Sequence, residues 1–192
     1  HAGEIDCDTS FSLIKIIPDP IDICEIGEYD NPFDAMGKWN SLGFNYYHKQ
    51  IAGWVKDNDI FTLENSDDFN KRYEICSMQT KGKDKIKSIR YKYKDNYYLY
   101  IEYTGSRNVY SERLMFLLAD RNKNNLNGLG MGYNADSLKG ISDTLLSAVG
   151  NVFKSRNDEY YIYDQKNNHK IEIVGSGYDE NQKCDSVEIK IT

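Results

Sequence analysis

The sequence predicts an α+β fold: antiparallel β-sheet meanders with helices packed on one face. Two observations lead there. Helix-like stretches precede runs of strand-like segments, twice along the chain, and that order segregates helices from an antiparallel sheet. The closing stretch alternates Val187, Ile189 and Ile191 with Glu188 and Lys190, so one side of its sheet faces water. The 192 residues read as one compact domain, with 1–119 and 120–192 as sub-units sharing a core. A body of this size buries roughly 70% of the surface of its unfolded chain, enough to fold without a metal.

The elements follow in order. Residues 11–17 form a strand that Pro18 and Pro20 stop. Asn31 caps a helix with Pro32 at its first position and Asp34 complementing the dipole. Phe33, Met36, Trp39, Gly43, Tyr47, Ile51 and Trp54 fall on its one apolar face, with a break near Gly43. A short strand covers 60–63, and "NSDDFNK" opens with a cap and makes one helical turn. Strands are expected at 73–80, 85–94, 97–104 and 109–119. Residues 120–136 read as a long polar loop. A second helix is expected over 137–155, where Leu138, Ile141, Leu145, Val149 and Val152 share a face. Strands at 159–164, 170–175 and 185–192 end the chain.

Residues 87–105 hold six tyrosines in nineteen positions and read as a hairpin. A three-residue loop, Lys94-Asp95-Asn96, pairs Tyr93 with Tyr97, Tyr91 with Leu99 and Ile89 with Ile101; Asn96 tolerates the left-handed conformation such a loop needs. One face then collects Ile89, Tyr91, Tyr93, Tyr97, Leu99, Ile101 and Tyr103 for the core. The other presents Arg90, Lys92, Tyr98, Tyr100 and Glu102 to solvent. Flat aromatics lose little entropy on burial and cations stack on them, so this second face is a candidate partner surface.

Four cysteines, widely spaced and without a CxxC pair, fit two disulfides better than a zinc site, and disulfides belong to an oxidising compartment. The expected bridges are Cys7–Cys24 and Cys76–Cys184, the second tying an early strand to the last. The opening "HAGEIDC" fits a mature end after removal of an export signal, or the remnant of a tag. Localisation is therefore expected to be periplasmic or secreted.

Net charge is −6, unevenly placed: residues 1–36 carry nine acids against Lys15 alone, whereas 71–94 carry nine bases against Glu74 and Asp84. Either the two regions offset one another or they steer a charged partner. The basic stretch splits its charges between two strand faces and the chain is acidic overall, which argues against nucleic acid. No apolar run reaches the length of a membrane span.

No catalytic or cofactor motif stands out. "GLGMG" at 128–132 lacks the GxGxxG spacing of a dinucleotide loop. Asp120, Asn122 and Asn124 occupy calcium-loop positions one, three and five, but Met131 stands at twelve, where a bidentate glutamate belongs. His48 has no HExxH context and His169 sits in a hairpin turn, so no cofactor, metal or catalytic residue is assigned.

These readings point to an exported, non-catalytic binding protein of the inhibitor or immunity type that occludes a partner enzyme or toxin. The contact is expected at Arg90, Lys92, Tyr98, Tyr100 and Glu102, with Asn125, Asn127, Met131 and Tyr133 of the long loop entering a cleft. A small-ligand or glycan-binding module is the alternative, and a hydrolase whose site forms only in the fold is the third.

Overall fold

The computed structural model describes residues 2–6, 14–17, 25–27, 43–80, 84–94, 97–105, 113–120, 143–150, 161–164 and 166–192. In chain order these contain β1 (Ala2–Asp6), β2 (Ile14–Ile17), β3 (Glu25–Gly27), α1 (Tyr46–Ile51), β4 (Ile60–Leu63), β5 (Arg72–Cys76) and β6 (Ser88–Lys94). There follow β7 (Tyr97–Tyr103), β8 (Arg113–Asp120), β9 (Asp143–Gly150), β10 (Tyr161–Asp164), β11 (His169–Asp179) and β12 (Cys184–Ile191). They build a seven-stranded sheet, β3-β1-β9-β8-β7-β6-β4, and a five-stranded sheet, β2-β10-β11-β12-β5. Neighbours run antiparallel except in β1/β9, β2/β10 and β4/β6, which are parallel.

This overturns the α+β expectation. Among the described residues there is one α-helix of six residues, with short 3-10 turns, and no helical layer. Of the expected helix at 137–155, residues 143–150 form β9, hydrogen-bonded between β1 and β8. The spacing of Leu145 and Val149 suits one face of a helix, but in the strand a β-bulge lies between them: Leu145 pairs with Leu117 and Val149 with Leu114. The neighbour decides: β8 is apolar from Leu114 to Ala119, and its outer edge needs a strand. Asn31, Pro32 and the start of the other expected helix lie outside the described residues.

Two clusters organise the core. Between the sheets pack Ile89, Tyr91 and Tyr93 of β6, Leu99, Ile101 and Tyr103 of β7, and Leu114, Phe116 and Leu118 of β8. They meet Tyr73 and Ile75 of β5 and Val187, Ile189 and Ile191 of β12. On the opposite side of the large sheet, Tyr100, Met115, Leu117 and Ala119 pack with Tyr46, Tyr47, Ile60 and Met78. The chain over 43–55, only partly helical, thus lies across that side as a strap.

The tyrosine hairpin keeps its expected core face, but the turn differs. Ile89 pairs with Ile101 and Tyr91 with Leu99, then Lys92 with Tyr98 and Lys94 with Tyr97, across a register shift. Tyr93 is the extra residue of a β-bulge. The bulge restores alternation that a shorter connection would have broken, so Tyr93 still points into the core.

Cys76 and Cys184 form a disulfide with Cα atoms 5.9 Å apart, in the ordinary range. Cys76 lies opposite Ser186 and Cys184 opposite Asp179, so the bond runs diagonally between β5 and β12. It joins residues 108 apart in sequence, and closing so long a loop stabilises by about 4–5 kcal/mol in the chain-entropy model. The Cys7–Cys24 expectation lies outside the described residues.

Phe116 is fully buried between the sheets. Phe116→Ala is expected to lower the unfolding free energy in urea by about 3–5 kcal/mol. Phe61→Ala, at a side chain 37% exposed on an edge strand, should cost clearly less.

Candidate functional site

The strap begins where Asn45, in extended conformation, accepts the His48 N–H at 2.8 Å with its side chain and so caps α1. It ends in a Schellman motif: Trp54 N–H donates to Lys49 C=O at 2.8 Å and Gly53 N–H to Gln50 C=O at 3.0 Å. Gly53 has φ of +70°, which a side chain would strain.

Beneath the strap, residues expected to face solvent are buried. The Arg90 guanidinium donates to Thr62 Oγ1 at 2.9 Å, to Gln50 Oε1 at 2.8 Å and to the Tyr100 hydroxyl at 3.1 Å. Tyr100 in turn donates to Gln50 Oε1 at 3.2 Å. Glu102, fully buried, accepts the Tyr46 N–H with both carboxylate oxygens at 3.0 and 3.1 Å, at the positive end of α1. Burial first, then the charges of Asp59 and Glu102, push the Tyr46 phenol well above its ordinary range.

The expected open face of Arg90, Lys92, Tyr98, Tyr100 and Glu102 is therefore corrected. Arg90, Tyr100 and Glu102 hold the strap down, Tyr98 is half-buried with Arg90 5.6 Å above its ring, and Lys92 is exposed. Neighbouring strand β8 carried the signal: Glu102 pairs with Met115, Tyr100 with Leu117 and Tyr98 with Ala119, so that side of the sheet is apolar on the next strand. Asn125, Asn127, Met131 and Tyr133 lie outside the described residues.

What the strap presents outward is Trp54. It is 66% exposed, and its ring meets Phe44 edge-on at 5.3 Å. The residue follows the C-terminal glycine of α1, so the motif that stops the helix also directs the indole outward.

A second feature lies on the outer side of the small sheet, an open groove of about 410 Å³ lined by Glu74, Gly175, Ser176, Gly177, Ser186 and Glu188. The glycines leave its floor without side chains. Glu74 stands directly opposite Glu188, an arrangement that destabilises like charges unless they are compensated. Lys85 lies 3.0 Å from Glu74 and 3.5 Å from Asp179, and Arg72 3.7 Å from Glu188. The Ser186 hydroxyl, 2.8 Å away, together with Lys85 holds the Glu74 carboxyl below its ordinary value. Glu74 is thus ionised at neutral pH, fit to hold a cationic or hydroxylated group and unfit as a proton donor.

A third cluster closes the β10–β11 turn. Buried Asp164 accepts from the Tyr91 hydroxyl at 2.8 Å, the Asn167 amide side chain at 2.7 Å and the Lys166 N–H at 3.0 Å. His169 stacks on Phe69 at 4.3 Å and meets Tyr91 edge-on. This is a turn anchor with every visible group serving the fold.

Among the described residues, no three His, Cys, Asp or Glu side chains converge to hold a metal ion, and no helix is long and apolar enough to cross a membrane.

Two outcomes test this geometry. Glu102→Leu strands the Tyr46 N–H and should destabilise by about 1–3 kcal/mol in denaturant unfolding. Burial lowers the His169 pKa, so the folded state prefers neutral imidazole. That contribution is complete above the unfolded value, about 6.5, and is lost as pH falls through the folded value. The thermal midpoint should fall between pH 7 and pH 5, and fall less in His169→Phe, which keeps the stack on Phe69.

Comparison of the chain with protein-family models, curated proteins and solved structures finds no match, so its function is argued from the geometry alone.

Proposed function

We propose that this is an exported, non-catalytic binding protein that occludes a partner enzyme or toxin, as an inhibitor or immunity protein does. The observation that carries this reading is Trp54, two-thirds exposed yet fixed by the Schellman motif and by Phe44. Tryptophan is the residue type most often found to dominate a protein–protein contact, because a large rigid ring loses little entropy when covered. The Cys76–Cys184 bridge is compatible with an oxidising location outside the cell. In this reading the contact moves from the covered tyrosine face to the end of the strap.

The groove of Glu74 and Glu188 favours the second reading, a small-ligand or glycan-binding module. At the same place Glu74 is held ionised, so it could not serve as the proton donor of a hydrolase.

Capture from the extracellular fraction of the native host, followed by mass spectrometry, separates these readings. The binding reading expects one protein retained in equimolar amount by the wild type. Trp54→Ala should weaken that capture by roughly 30-fold or more, the scale of a dominant contact residue, with an unchanged thermal midpoint. Equal capture by both proteins sinks the assignment to Trp54. Retention of glycans by the wild type, lost in Glu74→Gln, favours the groove instead.

A further inference from the structure

At the end of the sandwich where β5 leaves the small sheet, a lysine is buried beside the disulfide. Lys87 is 3% exposed. Its ammonium lies 2.9 Å from Cys76 Sγ, 2.7 Å from Thr80 C=O and 3.2 Å from Ser77 C=O, which uses all three donors. None of these partners carries a charge while the sulfurs are joined. A buried cation with no charged group in direct contact is costly, whereas a thiolate at the position of Cys76 would place an opposite charge against it. Burial depresses the Lys87 pKa to about 8, outweighing the opposing charge of Asp59.

We propose that Cys76–Cys184 is an exchangeable bridge whose reduced state Lys87 stabilises, making the bond a redox-sensitive element of the fold rather than an inert staple. An external dithiol is the reductant. Its thiolate attacks Cys184 Sγ, the sulfur–sulfur bond breaks, and the electron pair leaves on Cys76 Sγ as a thiolate facing the Lys87 ammonium. The second thiol of the reductant, once deprotonated, displaces Cys184 from the mixed disulfide; the reductant becomes a cyclic disulfide and Cys184 takes up a proton. Cys76 is the better leaving group because the cation lowers its pKa. Cys184 opens β12 directly after the exposed 180–183 turn, so fraying of that hairpin end is enough to admit the reductant.

The charges around this centre are few. Asp59 and Lys49 act on Lys87 in opposite senses. Asp185 follows Cys184, and Asp179, paired with Lys85, stands opposite it.

The test is an equilibrium titration in dithiothreitol redox buffers, quenched by alkylation and read on the Cys76 and Cys184 peptides by mass spectrometry. Lys87→Met should shift the equilibrium at least tenfold toward the disulfide, about 30 mV for this two-electron exchange. Lys87→Arg should restore it. A purely structural lysine would weaken both redox states alike, so a shift of less than tenfold overturns the proposal. Should Lys87→Met fail to fold, thiolate absorbance of the reduced wild type, less that of reduced Cys76→Ser, gives the Cys76 midpoint directly. A midpoint at least one unit below the ordinary thiol value of about 8.5 is expected, and a smaller shift overturns the proposal.

Discussion

The rest of the structure depends on β7 and β8 being buried on both sides. In β7, Leu99, Ile101 and Tyr103 enter the inter-sheet core, while Tyr100 and Glu102 on the other side are equally closed to solvent. In β8 the run Leu114–Ala119 is apolar throughout, with Met115 and Leu117 on that same second side. An antiparallel sheet with apolar residues on both sides must be covered twice. The small sheet supplies one cover and the 43–55 strap the other. The strap cannot rest on apolar contact alone, because Arg90 and Glu102 lie under it and each needs a partner. Gln50 and the Tyr46 N–H are those partners. One requirement thus accounts for the position of α1, for the buried polar groups and for the outward placement of Trp54.

Much of the strand content was legible in the sequence, because period-two alternation is a strong local signal. Residues 60–63 are a strand as expected, and the hairpin was assigned to the correct faces from Ile89 to Tyr103. Two things were not legible. The 137–155 pattern has helical spacing, and what makes residues 143–150 a strand is their place between β8 and β1, the latter distant in sequence. Exposure of the Arg90–Glu102 face was inferred from its polarity alone. The correct inference needed pairing with β8, since a polar face beside an apolar strand is a buried network rather than a surface. Asn65 and Asp68, by contrast, act locally, and their capping box forms where the sequence placed a helical turn.

Covering both sides of the large sheet also limits where recognition can take place. Among the described residues, the end of the strap, the sandwich edges and the outer side of the small sheet are open, whereas Tyr91, Tyr93, Tyr100 and Tyr103 of the hairpin are closed to solvent. Their abundance is explained by the core: Tyr91 reaches Asp164 at the β10–β11 turn and Tyr100 reaches Gln50, each ring filling apolar space while its hydroxyl meets a polar group at the boundary. Tyrosine suits such a sandwich, where strands end near turns and a strap crosses one side.

Several described bases of the stretch 71–94 are likewise engaged within the fold. Lys71 lies 3.7 Å from Asp68, Arg72 pairs with Glu188, and Lys85 bridges Glu74 and Asp179. Lys87 and Arg90 are buried, and Lys92, like Lys71 and Arg72, is exposed. Exposed pairs of this kind add little stability, but they set acids beside Lys71, Arg72 and Lys85. A field able to steer a charged partner needs charges of one sign left unopposed on one face. Here strand pairing places Arg72 beside Glu188 and Lys85 beside Glu74 and Asp179, acids of other strands. On the small sheet the described bases of this stretch are thus matched to acids across neighbouring strands rather than gathered into one positive face.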